Sequence, residues 1–574
     1  MSPERPSMDV DIVCVGFGPA AGGFLTTLAS ELGKPENAAA LESRTAPGMP
    51  IQVLCYERAD DIGFGVSGVV TRGRGIRASF PALNPTDIPM AAEVRSEKVL
   101  YLLDPHGASR RPFAMRMADK VLDRIGLVRD HSYELPYVPP FLNKHDGFIL
   151  SIGQFNQWVG QQLMMSGAVQ IWPSSPVAEP LIEHDQVKGV RLADQGEGDS
   201  LQPGMDVRAA LTVVADGPVG PVGREIDGRL GVPGGYERDE WAVGMKFVVD
   251  LPESCDLADG TVLHTIGYPE PEIFGFLYVH PGRLASVGIF VPSWFDNPVR
   301  TSYRYLQHYI QHPALWRYLK GGKLRSWGAK SLQESGRRSE PYLAGDGYAR
   351  IGENSGSTNV LTGSGVDEAW TTGTQLGEAV LELWRSGEPF TRENLEATYV
   401  RRRRESWVDQ ESRIAADSRN GFSRGVVQGL AGMAMAGLTG GRLAFGRKPP
   451  KPLPKNTERL GVDEYMDRAG WPKIEFDGQL LITQQDALLV GGKVQAPAGY
   501  PDHVVFLEPA RCETCGAQTC ISICSGQAIH AAEVEGVPAF DREKCIHCGA
   551  CLWNCAEKNI AFRAGAGGLH SAEN

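Results

Sequence analysis

Eight of the chain's eleven cysteines fall between Cys512 and Cys555, in two runs: Cys512-x2-Cys515-x4-Cys520-x3-Cys524 and Cys545-x2-Cys548-x2-Cys551-x3-Cys555. Close Cys-x2-Cys pairs let thiolates on one loop reach different irons of a cubane, and thiolates are the soft ligands that iron–sulfur clusters take. The second run has the spacing of bacterial ferredoxins, in which the fourth cysteine of each run ligates the other cluster. The expected ligand sets are Cys545, Cys548, Cys551 and Cys524 for one [4Fe-4S] cluster, and Cys512, Cys515, Cys520 and Cys555 for a second. Structural zinc is the competing chemistry, but a run of four cysteines so close together holds more sulfur than one zinc needs. The x4 gap in the first run departs from the commoner x2.

A second constellation opens the chain. Residues 11–22 read DIVCVGFGPAAG, which places a glycine pair directly after a strand-like run and directly before a helix. In that context Gly16 permits a tight turn and Gly18 lets backbone approach a pyrophosphate. Ala21 replaces the third glycine of a dinucleotide fingerprint, with Pro19 and Ala20 opening the helix. The pyrophosphate then sits over the free N–H groups of that helix. Glu57, followed by Arg58, ends the next strand and is placed to accept hydrogen bonds from an adenosine ribose. Its separation from the glycines exceeds the usual spacing of about 20 residues, which a polar insertion over 34–50 explains.

Later runs favour FAD over a nicotinamide nucleotide. A strand closing in Asp216-Gly217, the stretch 351–356 with Gly352, Glu353 and Gly356, then Asn359 and a helix starting at Gly363 would bring further backbone to one extended cofactor. The positive end of that helix would favour a reduced, anionic flavin.

The elements needed to position these groups are visible in the patterning. Apolar, β-branched runs at 11–15, 52–56, 187–192 and 211–215 alternate with segments of helical period, which reads as α/β. One helix carries Phe155, Trp158, Val159 and Leu163 on one face, and another runs from about Gly363 to Trp384. Pro449, Pro450, Pro452 and Pro454 among lysines mark a stiff linker, and 495–501 is a second break.

With 574 residues the chain has room for several domains. Its net charge of −12 argues against a nucleic-acid partner, which needs a basic face. No basic, apolar leader opens the sequence, so a reducing, cytoplasmic setting is expected, where clustered cysteines are metal ligands rather than disulfides. No window of about 18 residues is apolar enough to span a membrane. Residues 425–441 (GVVQGLAGMAMAGLTGG), bracketed by Arg424, Arg442, Arg447 and Lys448, have instead the composition of an amphipathic segment at anionic headgroups. The run Arg401 to Arg404 reads as a docking patch for an acidic carrier or as a solvated helix face.

Over nearly its whole length the chain resembles the electron-transfer flavoprotein:ubiquinone oxidoreductase family, including its nitrogen-fixation-associated bacterial relatives. The resemblance is carried by the GFGPA loop, Ile62-Gly63, Ser67-Gly68, SIGQFNQWVG at 151–160, and Phe276-Leu277-Tyr278. It continues through HPALWRYLKGGKLRSWGAKSL at 312–332, Ser406-Trp407 and the set Cys524, Cys545, Cys548 and Cys551. It implies a Rossmann-type FAD-binding domain of the glutathione-reductase/hydroxylase type with an interleaved quinone domain, followed by an α+β ferredoxin-like iron–sulfur domain. The boundaries expected are 1–100 with 148–235 and 340–395 for FAD, and 101–147 with 236–339 and 396–460 for quinone and membrane. A linker at 461–505, the ferredoxin-like domain at 506–563 and a mobile tail at 564–574 complete the chain.

The resemblance adds Ser67, Gly68 and Val177 to the flavin residues. It implies an electron-transferring-flavoprotein dehydrogenase, peripheral on the cytoplasmic face of a bacterial inner membrane, taking electrons from a reduced electron-transfer flavoprotein and passing them to ubiquinone or another membrane quinone. Two departures stand out. The family holds one cluster on four cysteines, so Cys512, Cys515, Cys520 and Cys555 are additional. It also has two glycines near its quinone pocket where this chain has Ile273 and Phe274. Competing readings are a flavin reductase of isoprenoid chains fed by the clusters, and a non-catalytic relay subunit of a larger complex.

Overall fold

The computed structural model describes residues 5–574 apart from 64, 67, 197–199, 237–239, 294–301, 450–461, 491–493, 496–498, 533–535, 565–568, 572 and 574. Four of the alternating apolar runs become strands of one sheet. Parallel neighbours run in the order Tyr348–Arg350, Asp206–Val214, Ser7–Val15, Val53–Tyr56 and Gln170–Trp172, with the hairpin of Val177–Glu183 and Gln186–Leu192 added on Asp206–Val214. Ser7–Val15 is central, so its inner residues are apolar on both faces, as a strand covered by helices requires.

Helix Pro19–Leu32 packs on this sheet against the long helix Val366–Arg385. Their contact is close because glycines line it: a Cβ on Gly373 would lie 2.0 Å from the Ala20 carbonyl oxygen. Helix Ile152–Ser166 buries Phe155, Val159 and Leu163 in the same core, with Trp158 at its edge.

A second sheet of seven strands lies beside the first. Its order is Lys323–Gln333, Trp241–Asp250, Leu284–Pro292, Phe274–His280, Thr261–Ile266, Ser96–Leu102 and Ser132–Glu134. Helices Ser302–Ile310, Pro313–Leu319 and Val462–Ala469 cover one face. The boundary expected at residue 100 falls inside strand Ser96–Leu102, which pairs entirely within this second sheet.

Two stretches depart from their sequence-based description. The linker expected over 461–505 buries Met466, Trp471, Leu480, Leu481 and Leu488 in the core of the second sheet. These apolar side chains are spaced by polar residues and glycines, so the segment has loop-like composition but core-like anchors. Of the proline-rich run, 450–461 lies outside the described residues. The tail beyond 564 is not free either: Leu569–His570 pairs with Val494–Gln495, and Glu573 forms an ion pair with Arg325 at 2.7 Å.

The cysteine-bearing module is closed by strands Val504–Phe506 and Ile560–Phe562, with short helices Pro509–Glu513, Thr519–Ile523 and Ala550–Asn554 between them. It is docked firmly. Trp553 stacks face to face on Trp241 at 3.9 Å, the Ser331 N–H donates to the Cys548 carbonyl at 2.7 Å, and Ile523, Ile546 and Ala550 enter the second sheet's core.

Candidate flavin and iron–sulfur site

At the carboxyl ends of the parallel strands lies a cavity of about 260 Å3, where open α/β sheets place their ligands. Gly16, Gly18, Pro19, Ala20, Glu57, Arg58, Val177, Asp216, Gly217, Gly352 and Glu353 all line it. Gly16 has φ +86° and its α-carbon faces the Ala215 carbonyl, so the turn admits no side chain. Gly18 is extended, and a methyl group on its α-carbon would meet no protein atom within 4 Å, which leaves a cradle at the amino end of Pro19–Leu32. An open cradle over unsatisfied helix N–H groups fits an anionic pyrophosphate.

The Glu57 carboxylate accepts from the Phe17 N–H at 2.8 Å and the Ala59 N–H at 3.0 Å, fixing it against the glycine turn; burial raises its pKa despite those bonds. Asp216, expected beside the cofactor, also works as a scaffold: it accepts from Val222 N–H at 3.0 Å and from the Asn354 side-chain amide at 2.7 Å, and burial lifts it to about 6. Glu353, likewise raised to about 6 by burial, accepts from the N–H of Gln333 at 3.2 Å and of Thr358 at 2.9 Å.

Five expected residues do not line the cavity. Ala21 is buried at the helix–sheet contact. Gly68 faces the Phe276 ring, where a Cβ would be 2.1 Å away, while Gly65 and Val66 line the cavity in its place. Gly356 turns the backbone at φ +68°. Asn359 accepts from the N–H groups of Leu361 and Thr362, both at 3.1 Å, and Gly363 continues the turn that follows. Ser67 lies outside the described residues. The helix start reaches the cavity through Gly365, Val366 and Ala369, and the Lys144 ammonium holds the preceding loop by donating to the Thr362 carbonyl at 2.6 Å.

Most of the arginine run is engaged within the fold. Arg403 is fully buried and donates to Ser355 Oγ at 2.8 Å and Glu340 at 3.1 Å, Arg404 bonds Glu340 and Asp409, and Arg402 reaches Glu382. Four consecutive cations look like a solvated face in sequence, but Glu340, buried and supplied from a distant segment, recruits Arg403 and Arg404, while Arg401 stays exposed.

The cysteines separate into two groups across the runs. Cys524, Cys545, Cys548 and Cys551 surround one small cavity. Cys512, Cys515, Cys520 and Cys555 lie near one another: burial, then Cys555 and Cys515, raise the thiol pKa of Cys512, and burial, Cys555, Cys515 and Cys512 raise that of Cys520. Backbone N–H groups of Ala528 (3.1 Å) and Ile529 (3.4 Å) point at Cys524 sulfur, those of His547 (3.3 Å) and Asn559 (3.2 Å) at Cys545 and Cys555 sulfur. His503 Nε2 lies 3.1 Å from Cys545 sulfur. Burial and mutual repulsion push Cys524 up to about 11 and Cys520 to about 12. Such thiols ionise only beside compensating cationic charge. Among the described residues no three His, Cys, Asp or Glu side chains converge on a single-ion position. A cubane separates its ligands more widely, and the donor set is all sulfur, which fits iron–sulfur chemistry.

Sequence reasoning missed that the cysteine module helps to build the flavin cavity. His547, Phe562, Arg563 and Ala564 line it, together with Lys330 from the second sheet. Their only local signal is the position of His547 between two cysteines. At the departure from the family's glycines, Ile273 is fully buried and Phe274 packs edge-on against Phe422 at 5.9 Å, beneath the Arg419 guanidinium.

Comparison with known proteins agrees with this architecture. Residues 241–332 match the family model described as ETF-QO, ubiquinone-binding, and residues 537–561 match a 4Fe-4S binding domain. The electron transfer flavoprotein-ubiquinone oxidoreductase of Pseudomonas aeruginosa is 26% identical over 71% of this chain and 69% of its own length. The mitochondrial protein of that name from Oryza sativa is 24% identical over 99% of this chain and 93% of its own length. Among solved structures, a geranylgeranyl bacteriochlorophyll reductase-like protein of Thermoplasma acidophilum shares the fold, with a TM-score of 0.51 at 16% identity, covering 81% of this chain and 96% of that one. The chain is similar over most of its length to electron transfer flavoprotein-ubiquinone oxidoreductases, and its C-terminal module bears eight cysteines.

Proposed function

We propose that the chain is a peripheral membrane oxidoreductase that takes electrons from a reduced electron-transfer flavoprotein and delivers them to a membrane quinone. It carries FAD in the glycine-loop cavity and [4Fe-4S] centres in its C-terminal module. One observation carries this reading: the two cofactor sites share a wall, because His547 lines the flavin cavity while standing between Cys545 and Cys548. The bound cofactors supply the exchange of single electrons and electron pairs, and the protein supplies position and electrostatics.

Gly18 and the amino end of Pro19–Leu32 receive the pyrophosphate, Glu57 the ribose, and the Gly365–Val366 helix start faces the flavin ring with its positive end. Cys524, Cys545, Cys548 and Cys551 hold the inner cluster. Cys512, Cys515, Cys520 and Cys555 hold a second, and because Cys515 and Cys555 are partly exposed, that cluster extends the electron route toward the surface.

Membrane contact falls on two neighbouring helices. Helix Val426–Thr439 buries Val426, Gly429, Met433 and Ala436 and turns Val427 and Leu438 outward. Helix Phe113–Arg124, whose Met115 shares a core with Val426 and Met433, exposes Phe113, Met117 and Val121 at helical spacing, and Ile125 and Leu127 follow. Exposed Arg116, Lys120, Arg124, Arg442 and Lys448 rim these apolar groups, the arrangement of an interfacial anchor. No helix among the described residues is long and apolar enough to cross a membrane. The positive rim suits an anionic cytoplasmic leaflet.

Anaerobic purification with flavin and iron quantification tests the proposal, followed by reduction with an electron-transfer flavoprotein and a short-chain quinone. About one FAD and about eight irons are expected for two cubanes. About four irons would remove the Cys512 cluster, and failure to reduce any quinone would refute the quinone-reducing role.

A further inference from the structure

The wall between the flavin cavity and the Cys545 set contains two half-buried cations, Arg58 and Lys330. Arg58 stands beside the Glu57 carboxylate and also feels the Cys545 thiol. Lys330 is differently placed. It projects from strand Lys323–Gln333, its ammonium donates to the His547 carbonyl at 3.4 Å, and the next residue, Ser331, is tied through its N–H to the Cys548 carbonyl at 2.7 Å.

The ammonium is thus fixed beside the loop that carries Cys545 and Cys548 while facing the flavin cavity. Among the described residues Lys330 makes no ion pair within 4.0 Å. Burial and Arg58 lower its pKa to about 8, against the pull of Cys548, Glu57 and Cys545. A half-buried ammonium of this kind is stabilised by an anionic counterpart. The cysteine set supplies one once its sulfurs are ionised around iron.

We propose that Lys330 sets the electron affinity of the Cys545 cluster from the flavin side of the wall. The inference rests on the cofactor assignment made above. One-electron reduction adds a single negative charge to a centre that four thiolates already make anionic. That electron would cross the wall between flavin and cluster, with no bond formed or broken. In a site shielded from water, a fixed ammonium stabilises the added charge far more than it would in solvent.

The test is an EPR-monitored redox titration of the purified holoprotein at pH 7, with flavin and iron content measured first. Lys330→Met is expected to lower the cluster's electron affinity at least tenfold, 59 mV for a one-electron couple. Lys330→Arg and Ser331→Ala, which keep the cation, should stay close to wild type. A Met variant with the wild-type potential overturns the inference, as does an equal fall in the Arg or Ser331→Ala variant. If the Met variant sheds its cluster, Lys330→Gln makes the same comparison. Shedding by both, with retention by the Arg variant, also overturns it, because the charge would then hold the site together rather than set its potential. A wild-type protein with flavin but no cluster signal would instead sink the cluster assignment itself.

Discussion

Two glycines two residues apart should respond to alanine in opposite ways. At Gly18 the backbone is extended (φ −141°, ψ −172°), a conformation any residue adopts, and a methyl group would meet no protein atom within 4 Å. Gly18→Ala should therefore leave the apoprotein's stability within about 1 kcal/mol of wild type, on the stabilising side, because alanine restricts the unfolded chain. The same methyl fills the cradle over the helix N-terminus. If it displaces a pyrophosphate from charge-assisted hydrogen bonds worth about 1.5–3 kcal/mol, FAD affinity falls roughly 10- to 150-fold.

Gly16→Ala reverses the pattern. At φ +86° alanine costs about 1–2 kcal/mol in backbone conformation, and its Cβ would lie 2.8 Å from the Ala215 carbonyl oxygen. With about 1–3 kcal/mol more for the overlap, the apoprotein itself loses about 2–5 kcal/mol. Urea unfolding of the two apoproteins and titration with FAD, followed by flavin fluorescence, separate the effects. Wild-type FAD affinity in Gly18→Ala, or equal destabilisation of both apoproteins, would refute this account of the glycine loop.

Replacing Phe113 and Val121 together by glutamate should cut binding to anionic vesicles by more than tenfold, since two large apolar side chains contribute about 2 kcal/mol or more on partial insertion; unchanged cosedimentation would remove helix Phe113–Arg124 from the membrane face. A pH effect is expected at Glu270, which is fully buried and accepts from the Arg110 N–H at 2.7 Å and the Tyr305 hydroxyl at 3.2 Å. Burial raises it from 4.5 to about 7, outweighing the attraction of Arg110. Between those values the folded chain keeps a proton that the unfolded chain has released, so its stabilising contribution is intact below pH 4.5 and falls by about 3 kcal/mol as pH rises through 7. Glu270→Gln should flatten the thermal-melt midpoint between pH 5 and 8, and an unchanged slope would show that another group titrates.

Legibility in the sequence followed the range of the interaction. The strand–glycine–helix start, the helix at 152–166 and the long helix ending near residue 385 were visible because period and turn chemistry act over a few residues. Grouping of the cysteines across the two runs was legible because ferredoxin spacing carries its own topology. Helix Phe113–Arg124 was legible in principle, through Phe113, Met117 and Val121 four residues apart, but its apolar stripe faces outward where a core stripe would face in.

The sequence by itself determined that this chain holds a strand–glycine–helix turn and two runs of closely spaced cysteines, since each is specified by residue types a few positions apart. Tertiary structure decided what those groups meet. Arg403 became a buried strut because Ser355 and Glu340 come to it from more than forty residues away. Residues 462–490 pack into the core because the scattered Trp471, Leu480 and Leu481 find the back of the second sheet. Lys330, His547 and Arg563 came to share one wall with Glu57. Burial and charge are properties of surroundings assembled from the whole chain, and no local pattern encodes them.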